Sequence, residues 1–292
     1  MKYSYYPGCS LHTSAKEFDL STKVVMQALG FELEELKNWS CCGGSIASGI
    51  NHDVGMALAA RNVVLAQQKS QDLLASCSGC YNKSAKANQA LENPEERSKI
   101  ATILEDMGLS IPDNPIKVRS VVDVLANDLD ISKYIKRPLT NLKVACYYGC
   151  LLTRPEDITG WDSPVRPMAM DTLAKTCGAE VVDFRSKTKC CGGPILIPKE
   201  DVAYELTKNL LDEAQSLGAD CIVLACPLCS TNLELRQPDI EKRYNVSYSL
   251  PILYITELIG LALGIKPQKL GLDKHLVSTK SVLNKLKWPM LL

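Results

Sequence analysis

The sequence predicts an α/β protein of two pseudo-symmetric repeated domains, each a small parallel sheet flanked by helices with cysteine-bearing loops. Three observations predict it. One cysteine pattern occurs twice, short β-prone runs end at each cysteine element, and helical apolar patterns fill the intervals.

The repeat is the strongest of these. Cys41-Cys42-Gly43-Gly44 recurs as Cys190-Cys191-Gly192-Gly193, and Cys77-Ser-Gly-Cys80 recurs as Cys226-Pro-Leu-Cys229, both at an offset of 149 residues. Upstream, Tyr5-Tyr6-Pro7-Gly8-Cys9 is echoed by Tyr147-Tyr148-Gly149-Cys150 at an offset of 141 residues. The second copy therefore carries eight extra residues between its first cysteine and its CCGG, placed here in the loop around Trp161-Asp162-Ser163-Pro164. Each half reads Cys, then CCGG, then CxxC.

The elements follow in order. Tyr3 to Tyr6, Leu73 to Ala75, Val144 to Tyr148 and Ile222 to Ala225 are β-prone and read as strands. After each CCGG a helical face is expected, marked by Val54 and Leu58 in the first half and by Val202, Leu206 and Leu210 in the second. Asn51 or Asp53, and Lys199-Glu200-Asp201 after Pro198, supply the helix starts. His52 falls at such a start. Strands alternating with helices give a parallel sheet in each half. The cysteines would then lie beyond the C-terminal ends of strands, where open α/β sheets place their ligands. Residues 128 to 141 read as a linker, giving domains at 1–140 and 141–268. A Lys-rich tail, 269–292, contains His275 and has Trp288 and Pro289 near its end; it reads as a solvated helix or a docking arm.

Composition narrows the function classes. Lys and Arg total 33 and so do Asp and Glu, so no global charge favours nucleic acid or a membrane surface. The run from Leu250 to Gly264 contains Glu257 and falls short of the roughly 20 apolar residues a bilayer needs. It reads as a core helix or a strand–helix pair. MKYSYYPGC has no long apolar run, and the expectation is a cytoplasmic protein. Thirteen cysteines in such a protein point to metal or redox chemistry rather than disulfides.

Five thiolates per half exceed the four of a structural zinc site or a cubane cluster. Adjacent α-carbons lie only about 3.8 Å apart, so a Cys-Cys pair suits one multi-metal body better than one small tetrahedral ion. Gly43, Gly44, Gly192 and Gly193 allow positive φ and let backbone amides approach cluster sulfurs. Three other readings compete: zinc knuckles, which leave one thiol over per half; thioredoxin-like CxxC chemistry; and plain burial. Cys146, Cys177 and Cys221 have no counterparts in the first half and read as core residues.

Two copies of Cys…CCG…CxxC are the signature of the cysteine-rich CCG domain, and a chain of two such domains resembles the B subunit of heterodisulfide reductase, roughly from Lys2 to Gly264. The resemblance implies two noncubane [4Fe–4S] clusters, with zinc the lesser alternative. One would be held by Cys9, Cys41, Cys42, Cys77 and Cys80, the other by Cys150, Cys190, Cys191, Cys226 and Cys229. It further implies one-electron steps that reduce a disulfide, of the coenzyme M–coenzyme B type or another thiol disulfide, in a crevice between the halves. The implied partners in the complex are a ferredoxin-like iron–sulfur protein (the C subunit) and a flavin-containing protein (the A subunit). The alternatives are an electron relay in a lactate, glycerol-3-phosphate or fumarate/succinate system, and a zinc-stabilised scaffold. No fused C-x₂-C-x₂-C-x₃-C run is present, which favours the separate subunit. His12, three residues after the first ligand, and Arg154, four after Cys150, are candidate catalytic groups that would steer an anionic thiol or protonate a leaving thiolate. Trp161 reads as a wall of the crevice or as a packing residue.

Overall fold

The computed structural model describes residues 1–44 and 46–288, so Pro289 lies outside the described residues. Its strands are β1 (Lys2–Tyr6), β2 (Glu32–Glu35), β3 (Leu73–Ala75), β4 (Val118–Ser120), β5 (Lys143–Tyr147), β6 (Glu180–Val181), β7 (Cys221–Leu224) and β8 (Ile252–Tyr254). Helices of the first half are α1 (Cys9–His12), α2 (Lys16–Ala28), α3 (Ile46–Ile50), α4 (His52–Gln67), α5 (Ser78–Ala90), α6 (Pro94–Glu105) and α7 (Val121–Asn127). The second half has α8 (Glu156–Thr159), α9 (Ala169–Thr176), α10 (Glu200–Ser216), α11 (Pro227–Ser230), α12 (Gln237–Tyr244) and α13 (Ile255–Ala262); α14 (Pro267–Leu270) and α15 (Lys280–Lys285) follow.

The strands form two four-stranded sheets, ordered β2-β1-β3-β4 and β6-β5-β7-β8, with every pairing parallel. The predicted fold class is the observed one. Four strands coincide with the β-prone runs. Of the other four, β8 falls in the run read as a core helix or a strand–helix pair, and three were not expected: β2 is Glu-rich, and β4 and β6 are three and two residues long. The order explains where a ligand would sit. Chain from β1 runs outward to β2, whereas chain from β3 runs the opposite way to β4, so the loops after β1 and β3 part and leave a crevice at the strand ends.

The two halves interlock. α13 of the second half packs on α2 of the first, and α7 of the first packs on α9 of the second. The helix that follows the last strand of each sheet thus covers the first long helix of the other half. Phe18 stacks on Tyr254 at 4.1 Å between ring centres, and the Ser21 and Thr256 hydroxyls lie 2.7 Å apart. The run from Leu250 to Gly264 is a strand–helix pair, and all eight residues of α13 are buried.

Three expectations need correction. Val54 and Val202 do not mark the buried faces of their helices; both are exposed, and the core faces are Ala59, Ala60, Val63 and Val64 on α4, and Ala203, Leu210 and Leu211 on α10. The expected linker is not loose, because Ile131 and Leu139 are buried and the Lys136 and Arg137 amides donate to the Ala262 carbonyl. Nor do the described residues of the C-terminal segment form a solvated arm: Leu270, Leu272 and Val282 are buried, and Lys285 pairs with Asp220 at 2.7 Å. Cys146, Cys177 and Cys221 lie fully in the core, as read, and burial pushes the Cys177 thiol up to about 12.

Candidate metal centre

All ten motif cysteines sit just beyond the C-terminal ends of strands, on the loops after the first three strands of each sheet. Cys9 opens α1 after β1, Cys41 and Cys42 follow β2, and Cys77 and Cys80 flank the start of α5 after β3. Cys150, then Cys190 with Cys191, then Cys226 with Cys229 follow β5, β6 and β7 in the same way. Sequence separation is thereby closed. Cys9 and Cys41 sulfurs lie 3.8 Å apart, Cys42 and Cys80 3.7 Å, and Cys191 and Cys229 3.5 Å. Cys150 and Cys190, and likewise Cys226 and Cys229, are near enough to perturb one another's acidity.

The two sets also meet. Cys77 and Cys226 stand close enough across the boundary between the halves for each to shift the other's acidity. Beside them Ser78 donates its amide and hydroxyl to the Ala225 carbonyl, at 3.2 and 2.9 Å, and the Asn82 amide spans to the Leu151 and Arg154 carbonyls, at 3.0 and 2.6 Å. The start of α5 is therefore stitched to the loop that carries Cys150.

Backbone features complete each set. Gly192 and Gly193 amides approach the Cys190 and Cys191 sulfurs at 3.3 and 3.4 Å, and Gly43 and Gly44 amides serve Cys41 and Cys42 likewise. Of these four glycines Gly43, Gly44 and Gly192 have positive φ. A β-carbon at Gly8 would lie 2.6 Å from the Cys80 sulfur, and one at Gly149 would lie 3.2 Å from the Cys229 sulfur. Both glycines keep the floor of a thiol-lined cradle clear.

Crowding shows in the acidities. The hydrogen bond from Cys80 holds Cys42 down at about 6, while Cys80 is pushed far up. Hydrogen bonds from Cys150 and Cys191 hold Cys190 down at about 2, and its bond to Cys190 drives Cys150 far up. Thiols this close cannot all ionise together unless positive charge is supplied among them. Among the described residues, no three Cys, His, Asp or Glu side chains meet at the spacing of one bound ion. Three close sulfur pairs, Cys9 with Cys41, Cys42 with Cys80 and Cys191 with Cys229, stand among the ten. Five thiols so arranged, with amides aimed at them, fit a body of several metal ions better than a single tetrahedral one.

The other predicted residues divide. His12 lies beside Cys9 on α1, but its ring contacts Glu35 at 3.1 Å and stands edge-on to Trp39. Arg154 gives its guanidinium to the Pro164 carbonyl at 2.6 Å and to the Thr188 hydroxyl at 2.9 Å, tying the inserted loop to the turn before Cys190. Trp161 does not border the cysteines; with Tyr81, Arg119 and Asp157 it lines a cavity of about 530 Å³ at the β4 edge. His52 begins α4, whose cap is the Asn51 side chain on the Val54 amide at 3.1 Å.

Three residues escaped the sequence reading. The Tyr6 hydroxyl donates to the Ser40 carbonyl at 2.8 Å, and the Tyr147 hydroxyl donates to the Lys189 carbonyl at 2.7 Å. Each pins the residue just before its Cys-Cys pair. Burial, and then the neighbouring cysteine charges, push both phenols far up. Their signal was present as the tyrosine that ends the strand before each Gly-Cys. The third is Lys83, one turn after Cys80, which has no counterpart lysine in the second half.

Comparison with known proteins agrees with this architecture. The cysteine-rich CCG domain matches twice, at residues 3–83 and 144–234. The chain is 34% identical over 277 residues to the 8-methylmenaquinol:fumarate reductase membrane anchor subunit of Wolinella succinogenes, covering 94% of this chain and 97% of that one. It is 31% identical over 292 residues to the B subunit of the ferredoxin:CoB-CoM heterodisulfide reductase of Methanosarcina mazei, covering 98% and 97%. It is 29% identical to a protein of Archaeoglobus profundus named as like the heterodisulfide reductase B subunit, covering 93% of each chain. The fold superposes on the crystal structure of a hypothetical protein from Helicobacter pylori with a TM-score of 0.78 at 18% identity, over 95% of this chain and 52% of that one. The duplicated thiol cradle and these near-full-length similarities place the chain in the cysteine-rich CCG domain family, as a two-repeat member similar to the B subunit of heterodisulfide reductase.

Proposed function

We propose that this protein is the disulfide-reducing subunit of a heterodisulfide-reductase-like complex, holding one iron–sulfur cluster in each cysteine set. The observation that carries the reading is the contact of Cys77 with Cys226, which brings two otherwise separate thiol sets to one boundary. Cys9, Cys41, Cys42, Cys77 and Cys80 would hold the first cluster, and Cys150, Cys190, Cys191, Cys226 and Cys229 the second, both of the noncubane [4Fe–4S] kind. Such clusters, when bound, supply electrons singly, and a disulfide needs two.

The chain's own residues do the rest. Tyr6 and Tyr147 fix the approach of each Cys-Cys pair, glycine amides donate to its sulfurs, and Arg154 holds the loop over Thr188. With Arg154 so engaged, His12 at the rim beside Cys9 is the better candidate to protonate a departing thiolate. The disulfide would be of the coenzyme M–coenzyme B type or another thiol disulfide. A ferredoxin-like partner and a flavin-containing partner would deliver the electrons, in the cytoplasm. Among the described residues, no helix is long and apolar enough to cross a membrane.

One observation favours a second reading. A relative at 34% identity is named as part of a menaquinol:fumarate reductase, so an electron-relay role is the competing assignment.

The test is anaerobic purification followed by iron, zinc and acid-labile sulfide analysis and visible spectroscopy. Turnover would then be assayed with a reduced one-electron dye and the heterodisulfide. Iron with disulfide-dependent dye oxidation is expected. Zinc without iron defeats the reading, and iron without any disulfide-dependent oxidation moves the assignment to the relay.

A further inference from the structure

We propose that Lys83 sets the two cysteine sets apart in reduction potential, its fixed positive charge making the first set the stronger electron acceptor. The proposal rests on the iron–sulfur reading above. Lys83 follows Cys80 by three residues on α5 and so lies on the same helix face. It is half-buried, and its ammonium donates to the Ser48 hydroxyl at 2.7 Å. Ser48 belongs to α3, the short helix after the first CCGG. The charge is thus pinned between the helix that carries Cys80 and the loop that carries Cys42, whose sulfurs are 3.7 Å apart. Cys42 and Lys83 feel one another: the Cys42 charge raises the lysine, against burial and Lys86, which lower it.

At an offset of 149 residues the same position is Asn232. Its side chain is fully buried and donates to the Cys191 carbonyl at 2.8 Å, joined there by the Thr207 hydroxyl at 2.9 Å. The first-half residue matching Thr207 is Leu58. The first set therefore has a held ammonium where the second has neutral dipoles. The other cations near the second set act on it less directly: Lys189 precedes Cys190 but is exposed to solvent, Lys187 is neutralised by Asp171 at 2.6 Å, and Arg154 turns its guanidinium to the Pro164 carbonyl and the Thr188 hydroxyl rather than to a cysteine sulfur, whereas the Lys83 charge acts on Cys42. Each added electron brings a negative charge, and a half-buried cation stabilises it with less screening than an exposed one. A single electron shared between the sets then rests on the first.

The test uses the anaerobic, cluster-loaded full chain. Iron content and the midpoint potentials of the two centres are measured by potentiometric titration with spectroscopic readout, for the unsubstituted protein and for Lys83→Gln, Lys83→Arg and Ser48→Ala. Lys83→Gln is expected to lower the first potential alone, changing the one-electron equilibrium between the sets at least about tenfold, which is about 59 mV. Lys83→Arg should preserve the offset, and Ser48→Ala, which frees the ammonium, should shrink it. Full iron content with an unchanged offset in Lys83→Gln overturns the proposal. Should Lys83→Gln lose iron, an unchanged offset in Ser48→Ala overturns it instead. Absence of iron from the unsubstituted protein would sink the underlying reading first, and that result precedes any variant.

Discussion

The two halves agree where the thiols are held and differ where the surroundings are built. Both place a tyrosine hydroxyl on the carbonyl before the Cys-Cys pair, and both leave a glycine under the second CxxC sulfur. They part immediately after it. In the first half a regular helix, α5, runs for thirteen residues and presents Lys83. In the second, α11 breaks into a π-turn at Thr231–Leu235 that sends Asn232 to Cys191 and Glu234 toward the C-terminal segment. Their last helices show the same divergence. Asp123 on α7 is paired by Arg119 from the adjoining strand, whereas Glu257 on α13 is paired by His275 from the far end of the chain. Duplication has kept the arrangement of the thiols and released the charges around them to specialise.

The comparison breaks most sharply at the proposed ligands. Cys42→Ser and Cys191→Ser should each remove the iron of their own set and leave the other's spectrum, so that each variant keeps about half the iron. A single substitution that empties both sets would show that the sets are not independent.

The next effect belongs to the second half alone. His275 is fully buried between Glu234 and Glu257, with nitrogen–oxygen distances of 3.1 and 2.9 Å. Burial pulls the ring down, but the Glu257 charge and the hydrogen bonds that the ring donates to Glu234 and Glu257 outweigh it and raise its pKa from 6.5 to about 11. Removing one partner of a buried pair leaves an uncompensated charge, so His275→Ala should cost about 3–5 kcal/mol in denaturant unfolding. The sign follows from linkage: a folded-state pKa above the unfolded one means the folded protein binds the proton more tightly. That stability is complete below pH 6.5 and declines until it is lost as pH rises through about 11. The unsubstituted protein should therefore lose stability through this window, and His275→Ala should lose less of it.

Smaller is the contrast between Gly8→Ala and Gly149→Ala. Gly8 has φ of 75° and ψ of 169°, a region open essentially to glycine, and its added β-carbon would meet the Cys80 sulfur at 2.6 Å. Backbone strain there is worth about 1–3 kcal/mol. Gly149, with 3.2 Å of room, should be the milder variant, losing less iron from its set than Gly8→Ala loses from the first. Equal losses would mean that the cradle floor is not what matters. Least of all, Tyr6→Phe and Tyr147→Phe each delete one hydrogen bond and should cost about 1 kcal/mol in unfolding. A larger loss in one half would show which cysteine loop depends more on its tyrosine.

Much of this was legible in the chain itself. The repeated Cys, CCGG and CxxC elements fixed the thiols of each half, because identical residues at matched offsets imply one structural unit used twice. Leu73 to Ala75 and Val144 to Tyr147 read as strands because buried parallel strands are short apolar runs, a local property. Local pattern failed where the environment is set from a distance. Glu32 to Glu35 forms a strand because it pairs with β1, against the propensity of its glutamates. Val54 and Val202 fit a helical apolar face yet point outward, because α4 buries its Ala59, Ala60, Val63 and Val64 side as it packs on α5 and α6, and α10 buries Ala203, Leu210 and Leu211.

The sequence by itself thus determined how many thiols each half offers and which residues accompany them, since covalent order and spacing carry that information. Only the tertiary structure decided that Cys77 meets Cys226, that His275 closes a buried charge pair with Glu257, and that Lys83 stands beside Cys42 while Arg154 is already committed. These are contacts between residues from 10 to 149 positions apart, or choices of rotamer among competing partners. They are set by how two sheets and their exchanged helices pack, which no local pattern encodes.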